Sequence, residues 1–151
     1  MDSELGQETV GRSLAQTCKL LRTRAHTLFR QVGLHRGQQF VLGVLWRNEG
    51  LTQSELARRL HIRPATLTRT LTRMGRAGLV ERRPDEEDQR VSRVYLTDAA
   101  RDVREGVEGA WRALEEQALG GFTPEERALL SRFLLRIREN LVREPAEGDQ
   151  V

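Results

Sequence analysis

Hydrophobic residues return every three or four positions along most of this chain, and the places where the rhythm stops mark its joints. Val10, Leu14, Cys18, Leu21, Leu28 and Val32 keep that spacing, with a gap near Ala25, and predict a long amphipathic helix ended by Gly33. Leu34 to Asn48 predicts a second helix, with Phe40, Val41, Val44 and Leu45 turned inward and Gly50 after its end. A third begins at Thr52-Gln53-Ser54-Glu55, where a threonine cap and a glutamate three residues later satisfy each other's backbone N–H groups. Leu56, Ala57 and Leu60 form its apolar face, and His61-Ile62-Arg63 is a tight joint. Pro64 suits the first position of a fourth helix: it lacks an N–H that would go unpaired there, and it disfavours helical geometry in Arg63. Leu67, Leu71 and Met74 give that helix one narrow apolar stripe, and Gly78 stops it.

The period then changes to two. Leu79–Arg83 and Val91–Leu96 are β-prone runs on either side of a polar turn, with Val94 and Leu96 alternating with Arg93 and Tyr95. Two short helices followed at once by a hairpin predict a winged helix-turn-helix. Helical spacing resumes after Thr97, a candidate cap, with Val103, Val107, Ala110, Trp111, Leu114 and Ala118 forming a seam up to Gly120-Gly121. Thr123-Pro124-Glu125-Glu126 opens a last helix lined by Leu130, Phe133, Leu134, Ile137 and Leu141. Residues 1–8 and the tail beyond Arg143 are polar and expected to be loose. The expected fold class is mainly α with a small β-hairpin wing. Residues 36–97 form the winged helix-turn-helix, and residues 1–35 with 98–151 form a helical lobe.

Charge sharpens this picture. A chain of 151 residues is one domain's worth, and its net charge is only +3. Residues 1–35 carry five bases and three acids, residues 36–95 twelve and seven, and residues 97–151 eight and twelve. A basic middle between less basic ends points to a polyanion. No acid lies between Glu55 and Glu81, whereas Arg58, Arg59, Arg63, Arg69, Arg73 and Arg76 all do. On the fourth helix Ala65, Arg69, Thr72 and Arg76 fall opposite the apolar stripe, flanked by Thr66, Thr68 and Arg73. Arg forks onto guanine, and Thr meets phosphate or a thymine methyl, so this face fits the major groove of double-stranded DNA. A merely solvated basic face is the alternative. Ser54, Arg58 and Arg59 are phosphate candidates with surface solubility as their competing role. In the turn of the hairpin, Asp88 can hold Arg90 by a carboxylate fork, leaving its guanidinium aimed at a minor groove.

Other chemistry is sparse. Cys18 is the only cysteine, which excludes an internal disulfide or a thiolate zinc site. Its place on an apolar stripe predicts a buried, inert thiol. His26, His35 and His61 have no metal-ligand spacing, and no cofactor is expected. His26 and Arg30, one turn apart, are candidates to line a pocket for an anionic ligand, with Trp46 and Trp111 flanking it; a solvated pair and two core tryptophans are the simpler reading. There is no phosphate-binding glycine loop, no HExxH and no nucleophile elbow, so no enzyme is expected. With no signal peptide and no apolar run near 18 residues, a cytoplasmic protein without membrane contact is expected.

Leu51-Thr52-Gln53-Ser54-Glu55-Leu56-Ala57, Thr66-Leu67-Thr68-Arg69, Gly78-Leu79-Val80-Glu81-Arg82, the wing residues Asp85, Asp88 and Arg90, and Val94-Tyr95-Leu96-Thr97 resemble the MarR family of bacterial transcription regulators. The resemblance spans roughly Val10 to Val142 and is most specific in the Asp-x-x-Asp-x-Arg wing. It implies a homodimer whose first and last two helices interlock, which makes residues 1–35 and 98–151 the dimerisation region. It also implies a pseudo-palindromic operator, and repression relieved by a small aromatic or phenolic effector; since some members of the family use a first-helix cysteine as a sensor, it offers a redox-sensing Cys18 as the alternative. Glu87 stands where the family often has Arg, which weakens the wing's grip. Gly75 replaces a usual Glu at a propensity loss of about 1 kcal/mol, and Ala100 stands at a frequent Gly. Besides a regulator, two classes fit: an architectural DNA binder with little sequence preference, and a helical protein whose winged helix meets another protein.

Overall fold

The computed structural model describes residues 9–143. The elements are α1 (Val10–Gln31), α2 (Gln38–Leu45), β1 (Leu51–Thr52), α3 (Gln53–Leu60), α4 (Pro64–Arg76), β2 (Val80–Pro84), β3 (Ser92–Leu96), α5 (Asp98–Asp102), α6 (Arg104–Ala118) and α7 (Pro124–Val142). They fall into two units, one ending at Ala118 and one starting at Leu119. The two polar ends expected to be loose lie outside the described residues.

In the first unit, local signals place most of the boundaries. The Thr9 hydroxyl accepts from the Arg12 N–H at 3.3 Å and starts α1. The Leu34 N–H returns to the Phe29 carbonyl at 2.9 Å and ends it. The second helix starts later than its apolar pattern predicts. Gly37 adopts a left-handed φ of 85°, and the Gln38 side chain accepts from the His35 N–H at 3.1 Å, so the chain turns before α2 begins. This shift sets the buried face to Gln38, Gln39, Val41, Leu42 and Leu45. Phe40, expected inward, is 52% exposed and leans on Trp111, with ring centroids 5.7 Å apart. Trp111 is itself exposed at the edge of its seam, packed edge-on against Phe29, and Ala118 at the end of that seam is exposed.

The hairpin pairs Val80 with Leu96 and Pro84 with Ser92, so that Val94 and Leu96 point into the core. A short strand missed by the sequence pattern, β1, pairs Leu51 with Val94 and Thr52 with Arg93 and makes the sheet order β1-β3-β2. Gly50 precedes it at φ 78°, and a Cβ there would be strained and would crowd the Tyr95 ring at 3.2 Å, which favours glycine. Beyond Thr97, whose hydroxyl caps the Ala100 N–H, the expected single helix is broken at Val103 into α5 and α6. The core gathers Phe29, Leu42, Leu56, Leu67, Met74 and Val94, each at most 2% exposed.

Cys18 corrects the expectation of a buried thiol: it is exposed, as are Leu20 and Leu21 on the same helix. The second unit holds α7, started by a reciprocal Thr123–Glu126 capping box with Pro124 at its first turn. None of its 19 residues is buried, and Phe133, Leu134 and Leu135 are each nearly half exposed.

Candidate nucleic-acid interface

The site is built on α3, α4 and the β2–β3 wing. The Thr52 N–H donates to Glu55 Oε2 at 2.8 Å, and the Glu55 N–H donates to Thr52 Oγ1 at 3.1 Å. These bonds, the backbone one foremost, hold the Glu55 carboxyl below its ordinary pKa. The helix ends at His61, the one non-glycine residue with positive φ (52°) among the described residues. That left-handed turn lets the Ile62 N–H reach the Ala57 carbonyl at 3.1 Å and re-aims the chain into α4 within two residues.

Leu67, Leu71 and Met74 bury one face of α4 almost completely. Ala65, Thr66, Thr68, Arg69, Thr72, Arg73 and Arg76 are all exposed on the remainder. Ser54, Arg58, Arg59 and Arg63 are likewise exposed. Three threonine hydroxyls donate back into the helix: Thr68 to the Pro64 carbonyl at 3.0 Å, Thr70 to that of Thr66 at 3.0 Å, and Thr72 to that of Thr68 at 2.8 Å.

Sequence reasoning overlooked Arg82. Its Nη2 donates to Thr72 Oγ1 at 3.2 Å and reaches the Thr68 carbonyl at 3.5 Å, tying the wing strand to α4. The signal was available: Val80 is buried, and the two-residue period of a strand puts Arg82 on the same face.

In the wing, the Arg90 guanidinium forks onto Asp88, with Nε to Oδ1 at 3.0 Å and Nη2 to Oδ2 at 3.1 Å. Its side chain is nevertheless 91% exposed. The guanidinium holds the Asp88 carboxyl below its ordinary pKa, and Asp88 in turn raises that of Arg90. One step inward, Arg93 Nε donates to Asp85 Oδ1 at 2.5 Å and Nη1 donates to the Gly50 carbonyl at 2.8 Å, anchoring the wing's base to the start of β1. Arg93 depresses the Asp85 pKa in the same way. Arg83 pairs with Glu81 and lies over the Tyr95 ring.

Of the four candidate pocket residues, His26, Arg30 and Trp111 do not line the cavity that Trp46 borders. A cavity of about 420 Å³ opens between Leu45, Trp46, Arg47, Glu49, Leu96, Arg101 and Arg104. Trp46 lines it, with the Arg104 guanidinium 5.7 Å from its ring, and its buried indole N–H has no partner among the described residues. Glu49 accepts from the Leu96 N–H at 2.7 Å and from Arg101 at 3.2 Å. His26 and Arg30 are exposed on α1, and Trp111 sits against Phe29 and Phe40. Among the described residues no group of three His, Cys, Asp or Glu side chains is placed to hold a metal, and no helix is long and apolar enough to cross a membrane.

A family model described as the MarR family matches residues 34–92, which contain α2 to α4 and the wing turn. The transcriptional regulator AdcR of Streptococcus pneumoniae is 36% identical over 107 residues, covering 69% of this chain and 73% of that protein. The chain belongs to the MarR family. The regulator TtmR of Methylorubrum extorquens is 32% identical over 148 residues, covering 92% of this chain and 74% of its own length. A mutant of E. coli MarR, solved in complex with operator DNA, superimposes with a TM-score of 0.79 at 25% identity, covering 89% of this chain and 99% of that one. As a MarR-family protein, this chain is a DNA-binding transcription regulator with a winged helix-turn-helix. The mainly helical fold and its hairpin wing, expected from periodicity, are those of the family.

Proposed function

We infer that this regulator reads a pseudo-palindromic duplex as a homodimer, each copy laying α4 in a major groove and Arg90 in the adjoining minor groove. One observation carries the reading. The solvent face of α4 carries Arg69, Arg73 and Arg76 among small side chains with no carboxylate, and Arg90 projects from the wing beside it. Ser54, Arg63, Ala65, Thr66, Thr68 and Thr72 complete the contact set, and Asp88 aims Arg90. The homodimer is supported by apolar side chains left exposed within each unit: Leu20 at 72% on α1, and Phe133, Leu134 and Leu135 on α7. A 19-residue helix with no fully buried residue of its own gains its stability from a partner, and residues 1–35 with 98–151 supply that surface on each copy. Two α4 helices then lie roughly 34 Å apart, one turn of duplex. Selecting duplexes from a random pool with the full chain, then titrating salt, tests this. A recovered palindrome whose affinity falls steeply with salt is expected; no recovered sequence, or binding indifferent to salt, overturns it.

Control of binding by an effector rests on the cavity beside Trp46. Three arginines, one carboxylate and the Trp46 ring suit a small aromatic anion there. Quenching of tryptophan fluorescence by 2-hydroxybenzoate, lost in Trp46→Phe, is the expected result; equal quenching in the variant removes this site.

A further inference from the structure

We propose that α4 selects thymine through its C5-methyl group, using the methyls of Ala65, Thr68 and Thr72; this rests on the DNA-binding reading above. The three residues stand at i, i+3 and i+7, hence on one face of the helix, and all three are exposed. What each offers a ligand is decided by where its hydroxyl hydrogen already goes. The hydrogens of Thr68 and Thr72 are engaged by the carbonyls of Pro64 and Thr68 at 3.0 and 2.8 Å. Phosphate oxygens, guanine N7 and O6, and thymine O4 only accept hydrogen bonds, so a hydroxyl with its hydrogen engaged has nothing to give them. Thr72 is committed further, because its oxygen accepts from Arg82 at 3.2 Å. Ala65 has only a methyl. This side of the helix therefore presents a short row of methyl groups, and the apolar group that a base pair displays in the major groove is the thymine methyl. Arg69, Arg73 and Arg76 continue the exposed face as hydrogen-bond donors to guanine or phosphate. The preferred half-site thus pairs a thymine-bearing edge with an arginine-read edge, and cytosine, which lacks the methyl, is rejected at the first.

The experiment compares the duplex recovered from the random pool with the same duplex carrying 2′-deoxyuridine in place of each thymine of its half-sites. Loss of one buried methyl corresponds to about a fourfold loss of affinity, so about fifteenfold is expected for two. Thr68→Ser and Thr72→Ser, combined, keep both hydroxyls and remove both methyls; with only the Ala65 methyl left, this variant should discriminate between the two duplexes several-fold less than the parent does. Equal binding of both duplexes by the parent overturns the proposal, and so does discrimination undiminished in the serine variant. Failure of the pool to yield any sequence overturns the regulator reading itself, which separates the two.

Discussion

Arg69→Ala isolates the base-reading part of the interface from the fold. Arg69 lies opposite Leu67, Leu71 and Met74 and is exposed, so its loss opens no cavity. Alanine is at least as good a helix former as arginine, and stability should stay within about 0.5 kcal/mol of the parent. The whole effect should therefore fall on DNA. If the guanidinium forks onto guanine, each copy loses about 1–3 kcal/mol of discrimination. A two-fold dimer contributes the interaction twice, giving about 2–6 kcal/mol, or at least roughly thirtyfold in dissociation constant. Arg69→Lys should recover little, since an ammonium cannot make the planar fork. Fluorescence anisotropy with the selected duplex and with random duplex, each over a salt series, measures this. Selected duplex should weaken while random duplex changes little. Equal weakening on both, with the salt slope reduced by about 0.9 for each phosphate no longer neutralised, would assign Arg69 to the DNA backbone. Unchanged affinity on both would refute the placement of α4 in the groove.

Arg90→Ala should weaken binding to the selected duplex while leaving the sedimentation coefficient of the free protein unchanged; an unaltered gel-shift midpoint would remove the wing from the interface. The pH dependence of the wing follows from its depressed carboxyls. The ion pairs of Asp85 and Asp88 contribute fully above the ordinary aspartate value of 3.8 and are lost as pH falls below it, so their Arg90 and Arg93 Nε–H resonances should hold steady from pH 8 to about 5. A wing transition near pH 6 in those resonances would contradict the pairing. Phe133→Glu should weaken the dimer: with the ring about half exposed in one chain, pairing gains about 1 kcal/mol per copy, or roughly thirtyfold for two, and sedimentation should show monomer at low micromolar concentration. An undiminished dimer would place α7 elsewhere. Leu71→Ala, at a position 1% exposed, should cost about 2–5 kcal/mol in urea unfolding; a loss below about 1 would mean that the α4 core face is misassigned.

The amino-acid order alone specified the features whose causes lie within a few residues. Both capping boxes, at Thr52 and Thr123, the proline-started α4 and the glycine after it are short-range hydrogen bonding and dihedral preference, and they stand where the sequence places them. The three-residue stripe of α4 also decided which of its side chains face solvent. The Asp88–Arg90 fork was legible because its partners are two residues apart. Tertiary structure decided what depends on distant partners. Phe40 stays at the surface because a glycine-capped turn delays α2 and Trp111 is there to meet it. The strand β1 exists only because β3 offers an open edge to Leu51 and Thr52. Arg82 ties the wing strand to α4, and a cavity opens beside Trp46, because side chains from separate elements converge there. Cys18 is exposed: periodicity identifies an apolar face but not what covers it, and in one chain that face of α1 is open.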